Sequence, residues 1–286
     1  MKRTPQTMWP DIDFKIFQMI VSDLDGTLKD VYAPLDTELA NVIRELQETG
    51  LNFTIATGKN LKATRDTAAA LGISMPMVLS NGCLIQELDG TVIQKTVLPV
   101  DFVRTLIRIC KKEQIELAIQ IGEDIYVAEI THNASILFDY GSPNLEEVGD
   151  WSQIDKLLPQ AYKCIALDRD DRQRLFDLEK KVYASAGDSV EYCHTLVEML
   201  EFMPKGVSKV SGIRSLAQRL DIPMLAILTM GDGNNDIGML QSAGYSVAVE
   251  NAPKAVRDAA WWIIPSCESG GPRAFLKHLL AMRQQT

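Results

Sequence analysis

The sequence predicts an α/β fold, a doubly wound parallel-sheet core interrupted by an inserted α+β segment. Three observations carry this prediction. Short apolar, β-rich runs alternate with amphipathic helical spacings at both ends of the chain, the pattern of parallel strands joined by helices. The middle, residues 86–203, loses that rhythm and mixes hairpins with helices. Four strands of the outer parts end in glycine beside carboxylates, hydroxyls or amides, at the edge where a parallel sheet binds its ligands.

Phe17–Ser22 is the first strand candidate, and Leu39, Val42, Ile43 and Leu46 then recur at helical spacing over 37–49. Leu51–Ala56 reads as a second strand, Leu61–Leu71 as a helix and Met77–Leu79 as a third strand. Leu84–Leu88 and Thr91–Val97 flank Asp89-Gly90, a strong hairpin signal. The spacing predicts helices over 102–112, 133–140 and 171–186, and strands over 115–121, 125–130, 161–167, 190–192 and 195–203. From 208 the first rhythm returns with helix 208–220, strand 225–229, a short helix and strand Tyr245–Val249. Helix 253–259, strand Trp261–Ile264 and helix 272–283 complete it. The economical reading is one core domain from 1–85 plus 204–286, holding an inserted domain over 86–203.

The 286 residues carry a formal charge of −9, from 29 basic against 38 acidic side chains. That balance argues against nucleic acid or an anionic membrane surface as the main partner. No apolar stretch reaches the roughly 18 residues of a membrane span. The start, MKRTPQTMWPDIDFK, is basic, but Asp11 and Asp13 interrupt it and no apolar run follows. It reads as a leader before the first strand, not as a signal peptide. Cys83, Cys110, Cys164, Cys193 and Cys267 are odd in number and form no CxxC pair, and the three histidines do not cluster with them. Buried free thiols in a reducing cytoplasm are expected, without a zinc site or disulfide framework.

The strand ends carry the chemistry. The first strand runs into Asp23-Leu24-Asp25-Gly26-Thr27, the second into Thr57-Gly58-Lys59 and the third into Ser80-Asn81-Gly82. Strand 225–229 runs into Gly231-Asp232-Gly233-Asn234-Asn235-Asp236. An Asp-Gly pair alone is a common turn, but four such ends on one edge are more than turns. Asp23, Asp232 and Asp236 are hard oxygen ligands suited to Mg²⁺. Carboxylates held close repel one another unless a cation sits between them. Thr57 and the Gly58 amide offer donors to an anion. A calcium loop fails on the sequence, because the positions that need Gly and Glu hold Ile237 and Ala243. A dinucleotide loop fails for want of the third glycine, and no P-loop pattern occurs.

DLDGT at 23–27, ATG at 56–58, KGVSK at 205–209 and GDGNND at 231–236 occur in order, and on these the chain resembles the haloacid dehalogenase-like (HAD) hydrolases. It is similar to their Cof-type branch (subfamily IIB), whose cap domain is inserted after the third strand, over residues 17–285. The resemblance implies a Rossmann-like core with a cap that closes over the catalytic edge. It also implies Asp23 as the nucleophile forming an aspartyl-phosphate, and Asp25 as general acid and then base. Thr57 and Gly58 would bind the phosphoryl group, Lys209 would neutralise nucleophile and phosphate oxygens, and Asn235 would help place the phosphate. Mg²⁺ would be held by the Asp23 carboxylate, the Asp25 backbone carbonyl and Asp232, with Asp236 in support. One departure bears on the site: Lys59 stands where the family often has Arg, which keeps the charge but loses the planar fork.

The expected function is a cytoplasmic, Mg²⁺-dependent phosphatase for a small phosphorylated metabolite, with a sugar phosphate foremost. The alternatives are a phosphomutase and a catalytically silent phosphometabolite-binding protein. A mutase needs a second phosphate site, for which Arg104, Arg108, Arg169, Arg172 and Arg174 are the candidates.

Overall fold

The computed structural model describes residues 14–31 and 33–285. The stretch read above as a leader lies outside them, apart from its last residues. The chain divides into two compact units, 1–93 with 208–286, and 94–207.

The first unit opens with β1 (Met19–Ser22), α1 (Thr37–Glu48), β2 (Asn52–Ile55), α2 (Leu61–Ala70), β3 (Met77–Leu79) and β4 (Leu84–Gln86), and β5 (Val92–Lys95) crosses into the second. The second holds α3 (Val100–Glu113), β6 (Glu116–Ile121), β7 (Asp124–Val127), α4 (Ile136–Asp139) and β8 (Glu146–Glu147). It continues through β9 (Ala161–Leu167), α5 (Arg172–Ala186), β10 (Val190–Leu196) and β11 (Met199–Pro204). The chain then returns to the first unit with α6 (Lys209–Arg219), β12 (Ile227–Gly231), α7 (Ile237–Ser242) and β13 (Tyr245–Val249). It ends in α8 (Lys254–Ala259), β14 (Trp262–Ile264) and α9 (Gly271–Gln284).

In the first unit the strands run β14-β13-β12-β1-β2, every pair parallel. A parallel bridge from Ala56 to Val78 carries the order on to β3. The chain therefore steps outward one way from β1 through β2 and, after α6, outward the other way from β12. Strands β1 and β12 flank the point where that direction reverses, the place where such sheets bind ligands. The helices pack by their expected faces. Asp36 caps α1 by accepting from the Glu38 and Leu39 amides, and Leu39, Val42, Ile43 and Leu46 form its buried side. Met19, Val21, Ala56, Val78, Ile213, Leu216, Ile227 and Met239 form a core cluster under β1, β12 and α6.

The second unit is a six-stranded sheet in the order β10-β11-β9-β6-β7-β8. Its pairs are antiparallel except β7 with β8. Alternation sorts its residues. Leu117, Ile119, Cys164, Ala166, Leu200 and Phe202 pack against α3 and α5, while Ala118, Ile165, Leu167 and Met199 pack with Ile136 and Leu137.

The structure moves several expected boundaries. The hairpin strands join β3 in one three-stranded sheet, β4 pairing with β3 and β5 with β4, so the first junction falls at 94, within β5, and not at 86. At the other junction β11 runs to Pro204 and the Val207 amide donates to the Pro204 carbonyl, which moves it from 203 to 207. The helix expected over 133–140 shrinks to Ile136–Asp139, because Thr131 Oγ1 captures the Ala134 amide in a turn. The break expected after 192 falls instead at Val197-Glu198, beyond an irregularity in the β10 ladder between Cys193 and Leu196. Strand 225–229 begins two residues later, at Ile227, after the 3-10 turn Met224–Ala226.

Among the described residues no helix is long and apolar enough to cross a membrane. None of the five cysteines, all among the described residues, forms a disulfide; three are buried, and burial pushes the Cys110 thiol up to about 12.

Candidate active site

The parallel register of β1 with β12 sets the site. Ser22 lies opposite Met230, and the Asp23 amide donates to the Met230 carbonyl at 2.8 Å. Asp23 and Asp232 therefore leave neighbouring strand ends side by side. Gly26, at φ +82°, turns the chain back so that its amide donates to the Lys29 carbonyl at 2.7 Å. A Cβ there would lie 2.3 Å from Asp232 Oδ2, so only glycine admits the aspartate this close. Thr27 Oγ1 then donates to Asp232 Oδ1 at 2.6 Å and fixes that carboxylate.

A second close approach places Lys209. Gly82, at φ +97°, lets the start of α6 come near enough that a Cβ would sit 2.2 Å from the Ser208 carbonyl oxygen. Ser208 caps α6 in a reciprocal pair with Ser211, and Lys209 follows as the first helical residue. Its Nζ lies 2.7 Å from Asp23 Oδ1 and 2.7 Å from Asp236 Oδ1, with a side chain 0% exposed. Asp236 Oδ2 in turn accepts from the Asp232 and Gly233 amides at 2.9 and 2.8 Å. Asp236 thus ties the GDGNND loop to Lys209, a structural task beyond the supporting ligand role the resemblance implies.

The electrostatics leave room for one more positive ion. Burial raises the Asp23 carboxyl well above its ordinary range, Asp236 and Asp232 add to the rise, and Lys209 opposes it. Burial and Asp236 raise Asp232 to about 6, against Thr27, Lys209 and Asp23. Burial also works against the Lys209 charge, but Asp23 and Asp236 outweigh it and push the ammonium above its ordinary value. Ligand oxygens of Asp23, Asp232 and Asp236 lie within 4.8 Å of one another. Three carboxylates against one ammonium leave two negative charges on a wholly oxygen donor set. A hard divalent cation such as Mg²⁺ fits both the charge and the donors.

This predicts a pH effect on the metal-free protein. The raised Asp232 value favours the protonated form in the fold, so its stabilisation is present below about pH 4 and is lost as pH rises through about 6. Asp232→Asn mimics that protonated form. Without metal it should be more stable than the wild type above pH 6, by on the order of 3 kcal/mol, and so unfold at a higher temperature, and the two should converge near pH 4. Adding Mg²⁺ should raise the wild-type melting temperature and move the variant far less. Thermal melts across pH check both outcomes.

The remaining residues divide. Thr57 is buried, and its backbone is held by Val78 and Asn81. Gly58 faces Asn81, whose Oδ1 would lie 3.3 Å from a Cβ there. Asn235 Nδ2 donates to Asn81 Oδ1 at 2.9 Å, linking the two loops expected to bind phosphate. Sequence reasoning saw Asn81 only as part of a strand end and gave it no role. Ser80 and Asn81 both hold positive φ, 49° and 56°, ahead of Gly82. Backbone held in this sparsely populated region clusters at functional sites, and an Asn-Gly pair closing a strand was the available signal.

Asp25 lies where the chain is already turning and bridges to Lys29. Its carboxylate stands outside the three-carboxylate cluster and pairs with Lys59. Any share Asp25 has in holding a cation therefore falls to its backbone carbonyl.

Three clustered carboxylates and a buried lysine lie at the switch point of a parallel sheet, the place where α/β enzymes bind their ligands. The sequence pattern of the haloacid dehalogenase-like hydrolases matches residues 20–275, and the chain belongs to that family, in its Cof-type branch. Among curated relatives, the HMP-PP phosphatase of Yersinia enterocolitica is 24% identical over 274 residues, covering 93% of this chain and 96% of that protein. The chloroplastic endoribonuclease YBEY of Arabidopsis thaliana is 28% identical over 256 residues, or 85% of this chain, but the match spans only 43% of its length. A solved structure of a HAD subclass IIB sugar phosphatase superposes with a TM-score of 0.79 at 20% identity, covering 91% of this chain and 98% of that one.

Proposed function

We propose that this hydrolase is a Mg²⁺-dependent phosphatase for a small phosphorylated metabolite, with a sugar phosphate the first substrate to test. The observation that carries the reading is Asp23, held by a buried lysine beside Asp232 at the reversal point of the sheet. Asp23 attacks phosphorus as the bond to the leaving oxygen breaks, which gives an aspartyl-phosphate and splits one hard step into two. Asp25 gives its proton to the leaving oxygen, then takes one from the water that attacks the phosphorylated Asp23. Phosphate leaves, and Asp23 is restored. Lys209 screens the charge of Asp23 throughout, while Thr57, Gly58 and Asn235 receive the phosphoryl oxygens. A divalent cation on Asp23, Asp232 and the Asp25 carbonyl, with Asp236 behind, would supply charge neutralisation for nucleophile and phosphate.

The family and the relatives named as HMP-PP and sugar phosphatases support the substrate class. We assign the choice of substrate to the unit 94–207. The arginines a mutase would recruit there are largely spoken for. Arg104 pairs with Asp155, Arg169 with Asp139, and Arg174 with Asp168. This favours hydrolysis. The test is inorganic phosphate release from a panel of sugar phosphates with Mg²⁺. Activity should vanish with a chelator and return when Mg²⁺ is restored. A hexose monophosphate converted to its isomer without phosphate release would replace this reading with a mutase.

A further inference from the structure

We infer that Lys59 is the positioning residue of the proton-transfer step, holding Asp25 by one carboxyl oxygen and leaving the other to carry the proton. The inference rests on the proposed role of Asp25 at the leaving oxygen.

Lys59 Nζ lies 2.7 Å from Asp25 Oδ2, with both side chains only about one-fifth exposed (20% and 19%). Asp25 Oδ1 is buried and has no hydrogen-bond partner among the described residues. The backbone of Lys59 is itself fixed. Its amide donates to Thr57 Oγ1 at 3.2 Å, and its carbonyl accepts from the Ser80 amide at 2.9 Å. The lysine thus grows from the same turn that presents Thr57 and Gly58, and the two tasks share one rigid support.

The chemistry follows from the two oxygens. An ammonium donating to Oδ2 makes that oxygen the acceptor, so a proton on the group resides on Oδ1. In the first step the Oδ1–H bond breaks and a bond from that proton to the leaving oxygen forms as the phosphorus–oxygen bond breaks. The carboxylate left on Asp25 stays held by the Lys59 ammonium through Oδ2. In the second step a proton from water returns to Oδ1. Leaving groups that need a proton should feel the loss of Lys59, and those that depart readily as anions should not.

The test compares phenyl phosphate, a poor leaving group, with para-nitrophenyl phosphate, a good one. Lys59→Met and Lys59→Gln should lower kcat/KM on phenyl phosphate about 100-fold and on para-nitrophenyl phosphate less than about tenfold, with the loss in kcat. Lys59→Arg, which keeps a charged donor, should stay within about threefold of the wild-type ratio. Asp25→Asn should show the same selectivity more strongly. Equal losses on both esters in the Met and Gln variants, or a rise in KM alone, would overturn the inference and leave Lys59 a structural or phosphate-binding residue. An Asp25→Asn variant without selectivity, or a wild type that hydrolyses neither ester, would overturn the underlying role of Asp25 and this inference with it.

Discussion

Asp23→Asn should abolish phosphate release from para-nitrophenyl phosphate, by about 10,000-fold or more, while the protein stays folded. A removed nucleophile disables every step that depends on it, so its loss costs nearly the whole chemical acceleration. Stability should move the other way. The Asp23 carboxyl is held well above its ordinary range by burial and by Asp236 and Asp232, so its charged form weakens the metal-free fold. A neutral amide relieves that, and Lys209 keeps Asp236 as a partner. The metal-free variant should melt at or above the wild-type temperature at neutral pH. Steady-state assays and thermal melts on the same preparation check both. Near-wild-type turnover in a folded Asp23→Asn variant would remove Asp23 from the chemistry.

Lys209→Met should damage activity and stability together. The ammonium is fully buried between Asp23 and Asp236, and its removal leaves two buried carboxylates without a counter-charge. Breaking a buried pair in this way costs about 3–5 kcal/mol, a large part of the about 5–15 kcal/mol that holds a typical domain together. Asp236 also anchors the Asp232 and Gly233 amides, so the loop bearing Asp232 should loosen. Turnover should fall about 1,000-fold or more. Mg²⁺ should restore part of the stability, by neutralising the carboxylates, but not the turnover. Urea unfolding with and without Mg²⁺, beside phosphate-release assays, measures the two effects. A variant as stable as wild type would mean that the Asp23–Lys209–Asp236 contact carries little energy.

The different fates of the site residues in sequence reading have physical causes. Asp23 and Asp232 were legible because each closes an apolar run with a glycine nearby, and both strand and turn are encoded within a few residues. Lys209 was legible only through the KGVSK resemblance, since a lysine at a helix start is ordinarily solvated. Its burial depends on Gly82 letting α6 approach, and nothing local to 209 encodes that. The Asp25–Lys59 pair escaped reading because both lie in turns, where side-chain direction has no simple period. Asn81 escaped because its partner, Asn235, is 154 residues away.

The same division runs through the fold. Periodicity and turn residues were enough for a parallel sheet at both ends of the chain, an α+β insertion between them and a polar edge at the strand ends. Each of those follows from neighbours within one helical turn or one pleat. The first junction of the insertion depended on whether β4 paired with β3 and carried β5 with it, a choice made by the sheet and not by the hairpin. The site depended likewise on distant partners. Thr27 fixes Asp232 across 205 residues, and the register of β1 against β12 brings Asp23 level with it. Spacing along the chain names the groups that reach an edge. Packing of strands and helices far apart in sequence settles which groups touch, and therefore which carboxylate is paired, which is buried and which is left for chemistry.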